Sequence, residues 1–301
     1  MGHIITDLKE TFRRGNIFIQ LIYINVSIFI IGTLINVFLQ LFQHSIPDIF
    51  GIFALPASFI RFFHQPWSII TYMFMHAGLL HILFNMLWLY WFGSLFLHFF
   101  SAKHLRGLYI LGGILGGLLY MVAYNVFPLF NQEVAVSTLV GASASVLAIV
   151  AATAYREPNY RVQLFLFGAI RLKYLALVVI GIDVLSITSS NAGGHIAHLG
   201  GALAGLWFAA SLSKGTDLTS WINWILDGFI SLFQKKTWKH KPKMKVHYGG
   251  GTTSREKDYD YNAHKKAQSD EIDRILDKLK KSGYDSLTTE EKKSLFDASK
   301  R

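Results

Sequence analysis

The chain has 301 residues, of which 52% are hydrophobic and 16% are charged, and its mean hydropathy is +0.35. Soluble proteins have about 25% charged residues, so an ordinary soluble domain is excluded for most of the chain. The formal net charge is +10, but the basic residues lie mostly beside apolar stretches. Membrane topology and anionic lipid explain that placement better than nucleic acid does. The absence of cysteine from the sequence excludes disulfides, thiolate nucleophiles and cysteine metal sites.

Six apolar stretches predict membrane spans, because a spanning helix needs about 20 apolar residues. They are Ile17–Phe42, Leu79–Phe100, Leu105–Phe127, Ser143–Tyr155, Leu172–Thr188 and Ile196–Leu212. The stretch between the first two is interrupted by Pro47, Pro56 and Pro66, and we interpret it as a partly immersed loop. Lys and Arg concentrate on one side of the predicted spans. We therefore expect an all-α, multi-pass bundle in a cell inner or plasma membrane, with both termini cytoplasmic.

The change in composition along the chain predicts four regions. They are a cytoplasmic N-terminal segment (1–16), a six-helix membrane domain (17–212), an interfacial and basic polar linker (213–268) and a small helical C-terminal extension (269–301). The basic juxtamembrane stretch after Phe233 suits anionic lipid. In the extension, Gly283 ends one predicted helix, and Thr288 and Glu291 form a capping box that opens a second.

The fourth apolar stretch is short and begins with a serine. Arg156 follows Ser143 by 13 residues, a rise of about 20 Å, so Ser143 lies about 10 Å below the opposite surface of the membrane core. Residues 139–142 must then descend as non-helical backbone, which is tolerated there only where protein or a water-filled cavity surrounds it. Such a serine is either a helix N-cap or a nucleophile whose helix N-terminus suits an oxyanion.

The sixth stretch contains a histidine at a matching depth. His198 precedes Lys214 by 16 residues, which places it about 24 Å above the basic interface. Gly201 and Gly205 share its helical face, and small residues allow membrane helices to approach closely. His198 is therefore either one partner of a helix–helix hydrogen bond or the general base for Ser143.

The second stretch offers hydrogen-bond donors at the same end of the bundle. His81 and Asn85 are four residues apart and share one helix face, so they could hold the oxyanion of an acyl-transfer reaction together with the Ser143 N–H. We expect His76 to brace the first loop.

Asp183 and the remaining histidines suggest two further roles at this site. Asp183 lies about 15 Å above the basic interface by the same rise, some 9 Å below His198, which predicts a structural acid and a Ser–His dyad without a third member. The histidines 76, 81, 195 and 198 could cluster around a metal ion. The HExxH pattern is missing, however, and no carboxylate lies beside His76 or His81. We therefore expect no metal and no cofactor.

Three motifs resemble those of rhomboid proteases. HAGLLHILFNMLWLYWFG resembles the second-helix HxxxxHxxxN motif, GASAS resembles the GxSx nucleophile motif, and AHLGGALAGL resembles the catalytic-histidine motif. The resemblance implies a serine endopeptidase that cleaves single-span or polytopic membrane proteins through an acyl-enzyme. It implies Ser143 and His198 as the catalytic pair, the latter selected over His195 by AHxxG. It also implies His81 and Asn85 as oxyanion donors.

His76 and Gly141 fall within the same motifs, and we group them with the oxyanion and substrate-binding residues. Two residues depart from the family pattern: Ala144 stands where many members have glycine, and Ser68 follows Trp67 where many have arginine. A catalytically inactive rhomboid-like protein that binds transmembrane clients is the alternative. A transporter is the third hypothesis, although the sequence shows no inverted repeat.

Overall fold

The computed structural model describes residues 12, 15–42, 49–164, 168–233 and 253–299. They fall into two compact units that divide after residue 235. Most of the expected N-terminal segment and the basic stretch after Phe233, predicted to meet anionic lipid, lie outside the described residues.

The first unit is built from helices joined by short loops. Its helices are α1 (Ile17–Leu41), α2 (Ile49–Phe53), α3 (Phe59–His64), α4 (Ser68–Thr71), α5 (Leu79–Phe96), α6 (Ala102–Val126), α7 (Ser143–Arg156), α8 (Leu172–Leu185), α9 (Ala192–Ser213) and α10 (Ser220–Phe233). Single 3₁₀ turns cover Tyr72–Phe74 and Pro128–Phe130. Two antiparallel strand pairs complete it: β1 (Leu55–Pro56) with β2 (Thr138–Leu139), and β3 (Arg161–Leu164) with β4 (Gly168–Arg171).

Four helices of the described chain are long and apolar enough to cross a membrane: α1, α5, α6 and α9. Each overlaps a predicted span, so the helical, multi-pass architecture is confirmed. Helices α7 and α8 have 14 residues each, about 21 Å at the helical rise, which is short of the hydrocarbon thickness. The number of spans therefore stays a prediction.

The interrupted stretch between α1 and α5 folds into α2, β1, α3 and α4, tied together by side chains. The Trp67 indole donates to the Ile52 carbonyl at 3.0 Å, and the Thr71 hydroxyl donates to the Phe53 carbonyl at 2.8 Å. Ser68, at the position where the family often has arginine, is buried and its hydroxyl has no hydrogen-bond partner. The bracing of this loop therefore comes from its other side chains.

Helix α7 packs so closely against α6 and α9 that there is no room for larger side chains at the crossing points. A Cβ built on Gly201 would lie 2.1 Å from the Ala144 carbonyl oxygen, and one on Gly205 would lie 2.1 Å from that of Ala148. The small face expected on α9 therefore does meet a neighbouring helix, at the small residues Ala144 and Ala148 of α7. Helix α6 adds a third small face that the sequence analysis missed, since a Cβ on Gly116 would lie 2.6 Å from the Ala144 methyl.

The second unit contains α11 (Thr253–Ser282), a 3₁₀ turn at Tyr284–Ser286 and α12 (Thr289–Ser299). Gly283 follows α11 with φ +76°, a left-handed conformation that favours glycine. The Thr288 N–H donates to Glu291 Oε2 at 2.8 Å and the Glu291 N–H donates to Thr288 Oγ1 at 3.3 Å, as the predicted capping box requires. Ile275 and Leu287 are the buried apolar side chains of this hairpin.

The start of α11 differs from the prediction. A polar linker was expected up to residue 268, but the helix begins at Thr253. The segment from Thr253 to Ser282 contains neither glycine nor proline, and Arg, Glu, Lys, Ala and Gln are good helix formers. Its polarity therefore indicated a solvated helix surface rather than an unstructured linker.

Gly205→Ala should lower the free energy of unfolding of the membrane unit by about 1–3 kcal/mol, because the new methyl overlaps the α7 backbone. Gly181→Ala in α8 is the matched control, since nothing lies within 4 Å of a Cβ there. Reversible unfolding in mixed micelles with increasing SDS measures both. Equal stability of the two variants would contradict the close contact.

Candidate active site

A cavity of about 400 Å³ lies among α5, α7, α8 and α9. Four residues that the sequence predicted to carry chemistry line it: His81, Asn85, Ser143 and His198. Apolar side chains form much of the remaining wall: Leu80, Phe84, Trp88, Val140, Val146, Leu147 and Val179. Polar groups are thus brought together in a largely apolar site between membrane helices.

Ser143 is the first residue of α7, preceded by Ala142 in the cap position, and no side chain caps this helix. The serine is therefore not the N-cap that was considered as an alternative. Because the first N–H groups of an α-helix have no partner within it, the Ser143 end of α7 offers uncapped donors to the cavity. Such an end favours a developing negative charge.

The backbone before Ser143 is non-helical and is held by protein partners, while its depth in the membrane stays a prediction. Leu139 pairs with Leu55 in the β1–β2 ladder, and the Gly141 N–H donates to the Tyr72 carbonyl at 2.9 Å. Gly141 has φ +128°, and a Cβ on it would lie 2.9 Å from His81 Nε2. Gly141 thus allows the chain to turn beneath the His81 ring just before Ser143.

The tautomer of His81 follows from its neighbour. The Ala77 N–H donates to His81 Nδ1 at 3.4 Å, so the ring proton of a neutral His81 is on Nε2. Asn85 donates one amide hydrogen to the His81 carbonyl at 2.8 Å, which leaves its second N–H. Each residue therefore retains one donor for a ligand in the cavity.

His76 lies behind His81 rather than on the cavity wall. It is 2% exposed, and its ring meets that of His81 edge-on with centroids 5.2 Å apart. Burial, with a smaller effect from His81, lowers the pKa of His76 to about 4, so it is neutral at physiological pH. Both ring nitrogens of His76 are buried without a hydrogen-bond partner, and its expected role in bracing the first loop stays a prediction.

His198 does not stand alone, and the predicted separation of Asp183 from His198 was wrong. Asp183 Oδ1 accepts hydrogen bonds from Nδ1 of His198 and Nδ1 of His195, each at 2.8 Å. The predicted separation assumed that α8 and α9 are straight and level at their basic ends. Counted from the opposite ends, Asp183 lies two residues before the end of α8 at Leu185, and His198 lies six residues after the start of α9 at Ala192. The depths estimated from the two ends of the helices therefore disagree, and the 2.8 Å contact shows that the two side chains are within reach.

The two histidines of α9 occupy different places. Of the two, His198 lines the cavity with Ser143. Because Nδ1 of His198 donates its hydrogen bond to Asp183, the Nε2 atom of a neutral His198 is an available acceptor. The hydrogen bonds of the described residues include none between the Ser143 and His198 side chains. Such a contact is often long before substrate binds.

The same cluster is the group of described side chains that could hold a metal ion. Asp183, His195 and His198 each offer one ligand atom, and these atoms lie within 4.8 Å of one another. The metal cluster considered from the sequence included His76 and His81, and these two residues do not belong to this group. The hydrogen bonds from both imidazoles to Asp183 Oδ1 are an alternative reason for this arrangement.

Ala144 packs away from the cavity. It is 1% exposed, and its methyl faces Gly116 of α6 while its carbonyl faces Gly201 of α9. The extra methyl at this position, where relatives of the motif often have glycine, is therefore accommodated by a glycine on α6.

Comparison with known proteins agrees with the motifs. Residues 64–215, about half of the chain, match the rhomboid domain family, and residues 255–301 match a family of unknown function, DUF6576. RHOMBOID-like protein 12, mitochondrial, of Arabidopsis thaliana is 29% identical over 157 residues, which are 49% of this chain and 47% of that protein. Presenilin-associated rhomboid-like protein A, mitochondrial, of Danio rerio is 30% identical over 139 residues, 45% of this chain and 34% of that protein. The matched part is thus less than half of either relative.

These relatives correct the expected location. A cell inner or plasma membrane was predicted, with cytoplasmic termini, whereas both relatives are mitochondrial proteins by name. The charge pattern distinguishes one side of a membrane from the other but does not identify the organelle. The prediction of a plasma or cell inner membrane is therefore wrong by this comparison.

Gly141→Ala should lower the free energy of unfolding by about 1–3 kcal/mol through backbone strain and crowding of His81. Gly168→Ala is the control, because Gly168 also has a positive φ, +70°, but has nothing within 4 Å of a Cβ. Adding His81→Ala to Gly141→Ala should recover part of the loss, measured as a double-mutant cycle by unfolding in mixed micelles. Equal costs at Gly141 and Gly168, with no recovery, would contradict the contact with His81.

Proposed function

Because the chain belongs to the rhomboid family, we propose that it is an intramembrane serine endopeptidase that hydrolyses peptide bonds of transmembrane substrates. The observation that carries the proposal is the presence of Ser143, His198, His81 and Asn85 on one cavity among membrane helices. A nucleophile, a base and two donors are the groups that acyl transfer at a peptide requires.

Ser143 acts as the nucleophile and His198 as its general base. As Ser143 Oγ attacks the carbonyl carbon, its proton passes to His198 Nε2, and the imidazolium then gives that proton to the leaving amine. A water, deprotonated by the same nitrogen, hydrolyses the acyl-enzyme. The pair need not be hydrogen-bonded before substrate binds, since catalytic contacts often tighten only in the complex.

The oxyanion is held by three donors. They are the His81 Nε2–H, the free amide N–H of Asn85 and the Ser143 N–H at the uncapped start of α7. The proposal rests on the hydrogen bond from Ala77 to His81 Nδ1, which leaves the His81 proton on Nε2, and on the lining of the cavity by both side chains.

The substrates are membrane proteins, single-span or polytopic, because the cavity lies among membrane helices and has a largely apolar wall. By likeness to the two relatives, we place the protein in a mitochondrial membrane. An interaction of the basic stretch after Phe233 with anionic lipid also stays a proposal.

Ser143→Ala should abolish cleavage of a single-span reporter in proteoliposomes and abolish labelling by a fluorophosphonate probe, because both require the hydroxyl. In membranes that carry this variant, uncleaved substrates should accumulate in the quantitative proteome. Ser145→Ala is the matched control, since Ser145 lies two residues further along α7 with its hydroxyl buried. The inactive rhomboid-like alternative predicts a different result. The wild type and Ser143→Ala would both capture transmembrane clients, and the wild type would form no product.

Asn85→Ala should lower kcat by about 10²–10³-fold with little change in KM, the usual loss when one oxyanion donor is removed. Asn125→Ala is the control, because Asn125 donates to the carbonyls of Ala57 and Met121 and does not line the cavity. The control should lose stability but not kcat. Comparable kcat values for Asn85→Ala and wild type would remove Asn85 from the oxyanion site.

A further inference from the structure

We propose that Asp183 is a positioning residue for His198, so that the site works as a Ser143–His198–Asp183 triad, with His195 as a second donor that fixes the carboxylate. This inference rests on the proposed protease function and assigns a role to residues outside the Ser–His pair. It replaces the dyad that the sequence alone predicted.

The hydrogen bond from His198 to Asp183 orients the imidazole. Nδ1 of His198 lies 2.8 Å from Asp183 Oδ1, and a carboxylate can only accept. The proton of neutral His198 is therefore on Nδ1, and Nε2 is the nitrogen available to Ser143. In the other tautomer Nε2 would carry the proton and could not act as a base.

The second histidine restricts the carboxylate. His195 Nδ1 also lies 2.8 Å from Asp183 Oδ1, and the two imidazole planes are inclined by 81°. His195 and His198 are three residues apart on one face of α9, so both reach the same oxygen of α8. With two donors on Oδ1, rotation of the carboxylate breaks both bonds, which holds the acceptor in place for His198.

Burial makes this acceptor effective. Asp183 is 3% exposed, and its Oδ2 has no hydrogen-bond partner. Little solvent therefore screens the carboxylate from His198. Besides His198, the ionisable side chain that lines the cavity is His81, from α5. Asp183 is thus the acidic group placed to stabilise the imidazolium that forms when Nε2 takes the serine proton.

Protons balance without transfer to Asp183. The Ser143 proton moves to Nε2 of His198 as the Oγ–carbon bond forms, and it leaves with the amine as the carbon–nitrogen bond breaks. The Nδ1 proton stays on Nδ1, and Asp183 remains a carboxylate throughout. The carboxylate therefore acts through His198 and touches no reacting atom.

Asp183→Asn tests the proposal by the division of its effect between kcat and KM. We expect kcat to fall by about 10⁴-fold with KM within a few-fold of wild type, as for loss of the carboxylate in other Ser–His–Asp sites. The assays contain EDTA, so that a cation at the three-residue cluster does not contribute. His195→Ala, which keeps the bond between Asp183 and His198, should lose no more than about 10-fold.

Asp217→Asn is the matched control. Asp217 also faces a histidine, with 3.6 Å between its Oδ2 and His104 Nε2, but it follows α9 at the end remote from the cavity. This variant should keep kcat. An Asp183→Asn enzyme with wild-type kcat, or a greater loss in His195→Ala than in Asp183→Asn, would overturn the assignment.

A spectroscopic measurement covers the case in which Asp183→Asn does not fold. In the Ser143→Ala protein with ¹⁵N-labelled histidine, His198 is identified by the signal lost in His198→Gln. We expect Nδ1 of His198 to carry the proton and Nε2 to be unprotonated; the reverse tautomer would overturn the proposal. Because this measurement needs no turnover, an inactive wild type would disprove the protease function alone, whereas an active enzyme with the reverse tautomer would disprove only the role of Asp183.

Discussion

The rest of the structure depends on one constraint, which is the close packing of α7 against the glycines of α6 and α9. Hydrophobic burial drives helix association only weakly in lipid, so packing and interhelical hydrogen bonds must supply it. Glycines 201 and 205 bring α9 onto the carbonyls of Ala144 and Ala148. Only at that separation do the first residue of α7 and His198, one turn before Gly201, face the same cavity.

A short α7 creates a second demand. Its start at Ser143 leaves the preceding chain non-helical, and such backbone needs protein partners. Leu139 pairs with Leu55 in the short β1–β2 ladder, and the Gly141 N–H donates to the Tyr72 carbonyl. The first loop is therefore part of the support of the nucleophile, although it is far from it in sequence. Uncapped N–H groups at the start of α7 follow from the same geometry.

The sequence predicted those features that depend on one helix, and it failed where two helix ends had to be compared. The start of α7 at Ser143 followed from the distance to Arg156, and His81 and Asn85 followed from helical spacing. Asp183 was misplaced because its estimated depth assumed that α8 and α9 are straight and level at their basic ends. It is nevertheless the acidic residue within an apolar stretch, a signal of function in membranes. The β1–β2 pairing involves two residues per strand and leaves no periodic pattern to detect.

The contribution of Asp183 to stability does not explain why an acid stands at this position. A buried carboxylate loses its hydration, and two hydrogen bonds on Oδ1 offset only part of that cost while Oδ2 has no partner. Well-packed apolar residues in place of a buried charged group are often neutral or stabilising. Packing therefore gives little reason for an acid at this position. Its contact with Nδ1 of His198, the residue that shares the cavity with Ser143, gives a specific one, since an apolar side chain could not select the tautomer of a base.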